Sequence, residues 1–322
     1  MLEPIDTVDL SDPAASREWL HFAASNARCL YTVQADDTLQ AWALSDTLVP
    51  TAAGTTTLPL ELYEACHQFS GSTLTLWGNG EVVVVDLSKP AAPRSVVGLE
   101  LDGLRACVVV GSQLYVERYL TRADGYGVCA LPTELAPEPA VEMLEVVKDM
   151  EHGSFGVVLG DRICWATQSG LRLMQLKPHR LGAALPLDSV VAYPVLVSPT
   201  RLAVLELYDE HRSGVVFVDD DGAKLKRVAT LAPNHVVRGW CLEGSRLFVV
   251  LRSAKKLDGK REFENRLVVI DTQTATELSS SVLPFVEVYG ESHTRVLWLG
   301  VKGSTCAVLL ASGVLHRFSL QR

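Results

Sequence analysis

The chain has 322 residues, 48% hydrophobic and 21% charged, which is enough for one large domain or two ordinary ones with a sizeable core and excludes disorder. Its formal net charge of -9 repels phosphate, so nonspecific binding to nucleic acid or anionic lipid is disfavoured and a nucleic-acid partner is not expected. No apolar run approaches the roughly 18 residues a membrane helix needs. The acidic start MLEPIDTVDLSD lacks the basic region and apolar run of a signal peptide, so a cytoplasmic location and no membrane partner are expected.

The predicted elements are strands throughout. Short apolar runs rich in Val, Leu and aromatics are separated by clusters of Gly, Asp, Asn, Ser and Pro, which is strand-and-turn chemistry. The first strand is Ile5 to Leu10. Next comes WLHFAAS, then SNARCLYTV from Ser25 and TLQAWAL. The same succession recurs as SGSTLTLW from Ser70 with EVVVVDL, VGSQLYVE from Val110 with YGVCALP, and LGDRICWA from Leu159 with LRLMQL. It continues as SPTRLAVL from Ser198 with VVFVDD, EGSRLFVV from Glu243 with RLVVIDT, and KGSTCAVL from Lys302 with VLHRFSL. The seven copies lie about 45, 40, 49, 39, 45 and 59 residues apart.

A period of roughly 40 to 50 residues with four short strands is that of a β-propeller blade. The expected fold is therefore all-β: a seven-bladed β-propeller with four-stranded blades, forming one domain over 1–322. Blades are expected at about 14–52, 58–98, 103–145, 152–186, 189–231, 235–282 and 293–320. The turn motif joins the first and second strands of each blade. The last blade lacks a fourth strand, and Ile5 to Leu10 is expected to supply it and so cover an open edge.

One phrase occurs twice, as DTVDLSDPAASRE from Asp6 and as VVVVDLSKPAAPR from Val82. The second copy has room for a turn and a fourth strand before the next repeat, and the first has not, so different places are expected for them. The stretch FSGSTLTLWGNGEVVVVDLSKPAAPRSVVG, from Phe69 to Gly98, resembles an LVIVD-type propeller repeat, in which a strand ending in Val-Asp precedes a Pro-containing turn. That resemblance implies the fold and no catalytic residue. The Trp-Asp pair of WD40 repeats is absent.

The seven cysteines, Cys29, Cys66, Cys107, Cys129, Cys164, Cys241 and Cys306, have no zinc-type spacing and sit mostly in apolar runs, so reduced, buried packing residues are expected. No GxSxG, HExxH, P-loop or GxGxxG motif occurs, and DDDG from Asp219 lacks the spacing of a calcium loop and reads as a turn. Asp86 and Asp271 end strands, where a carboxylate forms turns. No catalytic residue or cofactor is assigned. His152, His235 and His293 precede three of the repeat turns by similar distances and are the candidate metal ligands.

Length and charge gather instead in the connections between second and third strands: ERYLTRADGY, YDEHRSG and RSAKKLDGKREFEN. Loops on a rigid scaffold carry function. The candidate partner-binding residues are Arg118, Arg122, Tyr208, Glu210, His211, Arg212, Lys255, Lys256, Lys260 and Arg261. The expected function is a non-enzymatic protein-binding propeller: a scaffold, assembly subunit or inhibitor-type partner. The alternative is a propeller hydrolase or lyase with a metal or polar site in the central channel.

Overall fold

A computed structural model describes residues 2–10, 20–59, 66–78, 80–100, 104–111, 113–120, 125–132, 142–147, 156–167, 170–176, 179–187, 191–209, 212–222, 224–257 and 260–321. The described residues are almost entirely β. β1 (Leu2–Asp9) comes first. β2 (Phe22–Ser25), β3 (Cys29–Val33), β4 (Thr38–Leu44) and β5 (Pro50–Thr57) form an antiparallel sheet in that order. β6 (Cys66–Ser70), β7 (Thr73–Gly78), β8 (Glu81–Asp86) and β9 (Arg94–Glu100) form the next. β10 (Leu104–Val110), β11 (Gln113–Leu120), β12 (Gly125–Pro132) and β13 (Glu142–Val147) form another, as do β14 (Gly156–Leu159), β15 (Arg162–Thr167), β16 (Gly170–Leu176) and β17 (His179–Leu185).

The next sheet corrects the expected blade count. β18 (Val191–Ser198), β19 (Arg201–Asp209), β20 (Arg212–Asp220), β21 (Leu225–Glu243), β22 (Arg246–Leu257), β23 (Lys260–Asp271) and β24 (Thr276–Val288) are one seven-stranded sheet. The propeller therefore has six blades, not seven, because the two repeats expected at 189–231 and 235–282 share β21. The physical reason lies at Pro233-Asn234, which reads as a boundary in the sequence. Proline's fixed φ suits an extended chain, and it is tolerated where no ladder hydrogen bond is asked of it. The backbone passes through extended, and pairing with β22 begins only at Val236.

A 3-10 turn, η1 (Ser292–Thr294), leads to β25 (Val296–Lys302), β26 (Thr305–Leu310) and β27 (Val314–Leu320). β1 completes this sheet in the order β1-β27-β26-β25, pairing antiparallel with β27 from Leu2↔Leu320 to Asp9↔Val314. The closing strand thus begins earlier than the expected Ile5 and ends at Asp9. The two V-D-L-S phrases do take different places: β8 is the third strand of its sheet, and β1 is an outer strand.

The turn motif has a backbone explanation. Gly71, Gly111, Gly160, Gly244 and Gly303 each have φ of 57 to 61°, in the two-residue hairpins β6–β7, β10–β11, β14–β15, β21–β22 and β25–β26. A side chain would meet nothing within 4 Å at any of the five, so the left-handed backbone, not space, selects glycine. Asp86 and Asp271 act as turn formers: the carboxylate Oδ1 accepts the backbone N–H of Ser88 at 2.8 Å in one case, and of Gln273 and Thr274 at 2.8 Å in the other. Within DDDG, Asp219 is gripped by Arg201 at 2.5 Å and Asp220 by Arg162, so these carboxylates serve as ion-pair partners.

The chain divides into two compact units. One comprises Met1–Ala65, Asp86–Ser95 and His235–Arg322, and the other Cys66–Val85 and Val96–Asn234. In the first, Phe248, Val250, Leu267 and Val269 pack on Val296, Leu299, Val308 and Phe318, while Leu20, Ala23 and Leu30 pack on Ala307, Leu309 and Leu315. In the second, Trp77, Val82 and Val84 pack on Cys107, Val109 and Leu114, and Val108 and Tyr115 meet Ile163, Trp165 and Met174. Cys107, Cys164 and Cys306 are fully buried, and burial pushes their thiols up. The six cysteines with described side chains are all free thiols.

β1 is fixed by more than its ladder. Arg317 Nε donates to Asp6 Oδ1 at 2.6 Å, directly across the pair, and Arg317 Nη1 donates to the Thr47 carbonyl at 2.8 Å. Leu10, 3% exposed, joins the core beside Leu20 and Leu315. Deleting residues 2–10 removes the outer strand and this core contact, and is expected to lower the melting temperature by about 10 °C or more. Asp6→Ala alone removes a pair whose carboxylate is 44% exposed and is expected to cost only about 0–1 kcal/mol. Unchanged melting of the truncated protein would exclude this closure.

His316 on β27 stacks on Phe285 at 4.9 Å, and burial lowers its pKa. The unfolded chain, with a His pKa of about 6.5, then takes up this proton before the folded one does. The site's contribution is complete above about pH 6.5 and declines as pH falls below it. His316→Phe is therefore expected to reduce the loss of melting temperature between pH 7.5 and 5.5, measured by thermal denaturation.

Candidate interaction site

The structure turns the charged connections into strands. Arg118 lies in β11, opposite Gly127 of β12, and that hairpin is paired out to Leu120↔Gly125. Tyr208 lies in β19 and Arg212 opens β20, where Asp209↔Arg212 is the last pair. Lys255 and Lys256 lie in β22, and Lys260 and Arg261 in β23, paired as Lys255↔Glu262, Lys256↔Arg261 and Leu257↔Lys260. Arg122, Glu210 and His211 fall outside the described residues, as does His152. His235 lies in β21, and His293 lies in η1 with its Nε2 3.6 Å from Glu291. Among the described residues, no three His, Cys, Asp or Glu side chains gather as a metal-binding group.

The longest of these hairpins, β22–β23, is backed by β24, whose pairing with β23 runs on through Glu264↔Val286, Phe263↔Glu287 and Glu262↔Val288. It is a three-stranded extension of the sheet, and a polar cluster lies at its root. Side chains alternate between faces along a strand. The face carrying Phe248, Val250, Leu267 and Val269 into the core therefore continues with Arg252 and Asn265, which are opposite each other. Phe263 and Glu287 are the next opposed pair on that face. Arg238 joins from β21 at a bulge between Val237 and Gly239.

Glu287, with its side chain 7% exposed, is the centre. Arg238 grips it in bidentate fashion, Nη2 donating to Oε1 at 2.7 Å and Nε to Oε2 at 3.1 Å. Arg252 Nη1 donates to the same Oε1 at 2.9 Å, and its guanidinium lies 4.1 Å from the centroid of Phe263. Burial pushes the Arg238 guanidinium below its ordinary value. Glu287 opposes that shift, and the charges of Arg252 and Arg295 add to it. Two arginines thus share one buried carboxylate in a partly desolvated place.

Arg238, Arg252, Phe263, Asn265 and Glu287 were not among the candidates drawn from the sequence. A signal does exist. Counting by two along each strand, Asn265 falls in phase with Leu267 and Val269, and Glu287 with Leu283 and Phe285, which lie in or against the core.

Glu287→Gln removes the carboxylate that Arg238 and Arg252 share and is expected to destabilise by about 3–5 kcal/mol in chemical denaturation. Arg252→Met is expected to cost less, because Arg238 keeps its bidentate hold on the carboxylate. Equal effects would mean that Arg252, not Glu287, organises the cluster.

No family model and no curated protein matches the chain. Solved structures do. The WD40 β-propeller domain of Doa1 aligns with a TM-score of 0.55 at 10% identity, over 98% of this chain and 98% of that one. BamB from Moraxella catarrhalis aligns with 0.53 at 12% identity, over 100% and 98%. The N-terminal domain of Nup159 aligns with 0.52 at 11% identity, over 100% and 95%. Among the described residues, no helix is long and apolar enough to cross a membrane. At these identities the likeness concerns architecture alone, and it shows the chain to have a β-propeller fold.

Proposed function

We propose that this propeller is a protein-binding module that engages an acidic surface of a partner through the β22–β23 extension. The observation that carries this reading is the paired hairpin itself. A ladder continuous to Leu257↔Lys260 holds Lys255, Lys256, Lys260 and Arg261 on ordered strands, where a mobile loop would spread them. Residues 252–266 contain six Lys and Arg against three Asp and Glu, in a chain whose net charge is -9. A local reversal of sign in an acidic protein favours attachment to an acidic partner and disfavours attachment to the protein's own surface.

Arg118 lies in the β11–β12 hairpin, and Tyr208 and Arg212 in the β19–β20 hairpin of the same seven-stranded sheet as β22–β23; they are read as further contact positions. The reading is of a non-enzymatic scaffold, assembly subunit or inhibitor-type partner in the cytoplasm. Its repeats are taken as LVIVD-like on the residues of Phe69 to Gly98.

The test is a quadruple charge reversal, Lys255→Glu, Lys256→Glu, Lys260→Glu and Arg261→Glu, in the full chain. Affinity capture followed by cross-linking and mass spectrometry is expected to place partner cross-links on β22–β23 in the parent protein. At least tenfold less partner is expected with the variant, and progressive loss with added salt. A partner retained equally by a folded variant would end this proposal.

A further inference from the structure

Beyond Arg252 the ladder on β22 is one-sided. Toward β23 it runs on through Ser253↔Glu264, Ala254↔Phe263, Lys255↔Glu262 and Lys256↔Arg261 to Leu257↔Lys260. Toward β21 it begins only at Val236↔Arg252. Kept in step, that register would bring Pro233 opposite Lys255, and proline has no N–H to give a ladder. Among the described residues, 253–257 therefore form no ladder on the β21 side. Five residues make an ordinary strand length. An edge of this kind presents backbone N–H and C=O groups to another chain.

The residues on the edge choose its occupant. Positions 253–257 read SAKKL, with two lysines and no acid. Lysines keep identical edges apart, since a second copy laid alongside would bring like charges together. They attract an acidic strand for the same reason. Lys255 and Lys256 are adjacent, and adjacent positions lie on opposite faces of a strand. A segment with two consecutive carboxylates therefore meets one lysine position on each face. The last strand of the same sheet, β24, is chemically different. It holds Glu277 and Glu287, no Lys or Arg, and Pro284, which removes a donor. An acidic strand is thus directed to β22.

We propose that the β22 edge at residues 253–257 binds an extended acidic segment of the partner as an added strand. Main-chain hydrogen bonds hold the segment, and Lys255 and Lys256 select it by charge. The inference rests on the acidic partner proposed above and adds the form in which that partner is recognised. The two are separable. Charge contact needs the cations alone, whereas strand addition also needs the backbone amides of the segment.

The experiment titrates the full chain with an N-acetylated, C-amidated peptide, Thr-Val-Thr-Glu-Glu-Thr-Val, by calorimetry, and maps protected amides by hydrogen exchange with mass spectrometry. Saturable binding is expected, with slowed exchange within residues 253–257. Binding is expected to be at least tenfold weaker when Lys-Lys replaces Glu-Glu in the peptide, and at least tenfold weaker to the variant carrying Lys255→Glu and Lys256→Glu. Two N-methylated forms of the peptide, each blocking one alternate set of amides, separate the modes. Only the set facing β22 is used, so one form is expected to lose at least tenfold in affinity and the other to bind like the parent. Any pattern other than loss in one form alone would overturn strand addition. If both forms bind equally, the acidic contact of the hairpin still stands without it. Slowed exchange on β24 in place of β22, an unchanged affinity in the double variant, equal binding of the Lys-Lys peptide, or no saturable binding would each overturn the inference as well.

Discussion

Burial of each sheet on both faces is the constraint from which the rest follows. Val82, Val83, Val84 and Val85 are at most 4% exposed, and all six residues of β26 are buried. A strand covered on both faces cannot alternate apolar with polar. It reads as a continuous apolar run, much as the strands of buried parallel sheets do. Turns must then do what alternation does elsewhere, namely fix where each strand begins. Five glycines with nearly the same positive φ set that register across their hairpins, so the following residues meet the right neighbours.

Two-sided burial also decides how charge is used. A carboxylate or guanidinium inside such a stack must bring its counter-charge with it. Asp220 has Arg162, Arg317 has Asp6, and Glu287 has two arginines. The first two pairs tie one chain segment to another. Asp6 and Arg317 join the first strand to the last. The third is different in kind, since two arginines share one carboxylate and the neighbouring amide of Asn265 is unmatched. Replacing such a group by apolar residues is often neutral or stabilising.

What the sequence makes legible is what depends on local chemistry. The glycine turns, the apolar second and third strands, the Asp turn formers and the need for a strand to close the last sheet are each written in a few adjacent residues. The shared strand is not, because Pro233 and Asn234 are turn residues by composition, and only the continuing pairing of β21 shows that the chain stays extended there. The hairpin extension is illegible for the opposite reason. RSAKKLDGKREFEN is too polar to resemble a strand, although its ladder is regular as far as Leu257↔Lys260. Charged strands that reach past their covering neighbours lose the apolar signature while keeping the hydrogen bonds.

That same reach produces the candidate site. Along β22 and β23 the covered face runs from Phe248 and Val269 through Val250 and Leu267 to Arg252 and Asn265. The chemistry changes from apolar to charged within a single step of alternation. Beyond that step Phe263 caps Arg252, and Glu287 accepts from it. A sheet that ended with its core would expose its last apolar pair to water. One that continues can place polar groups where the backbone is still rigid and the dielectric still low. The fold supplies the rigidity, and the extension of three strands beyond the core supplies the place at which rigidity becomes recognition.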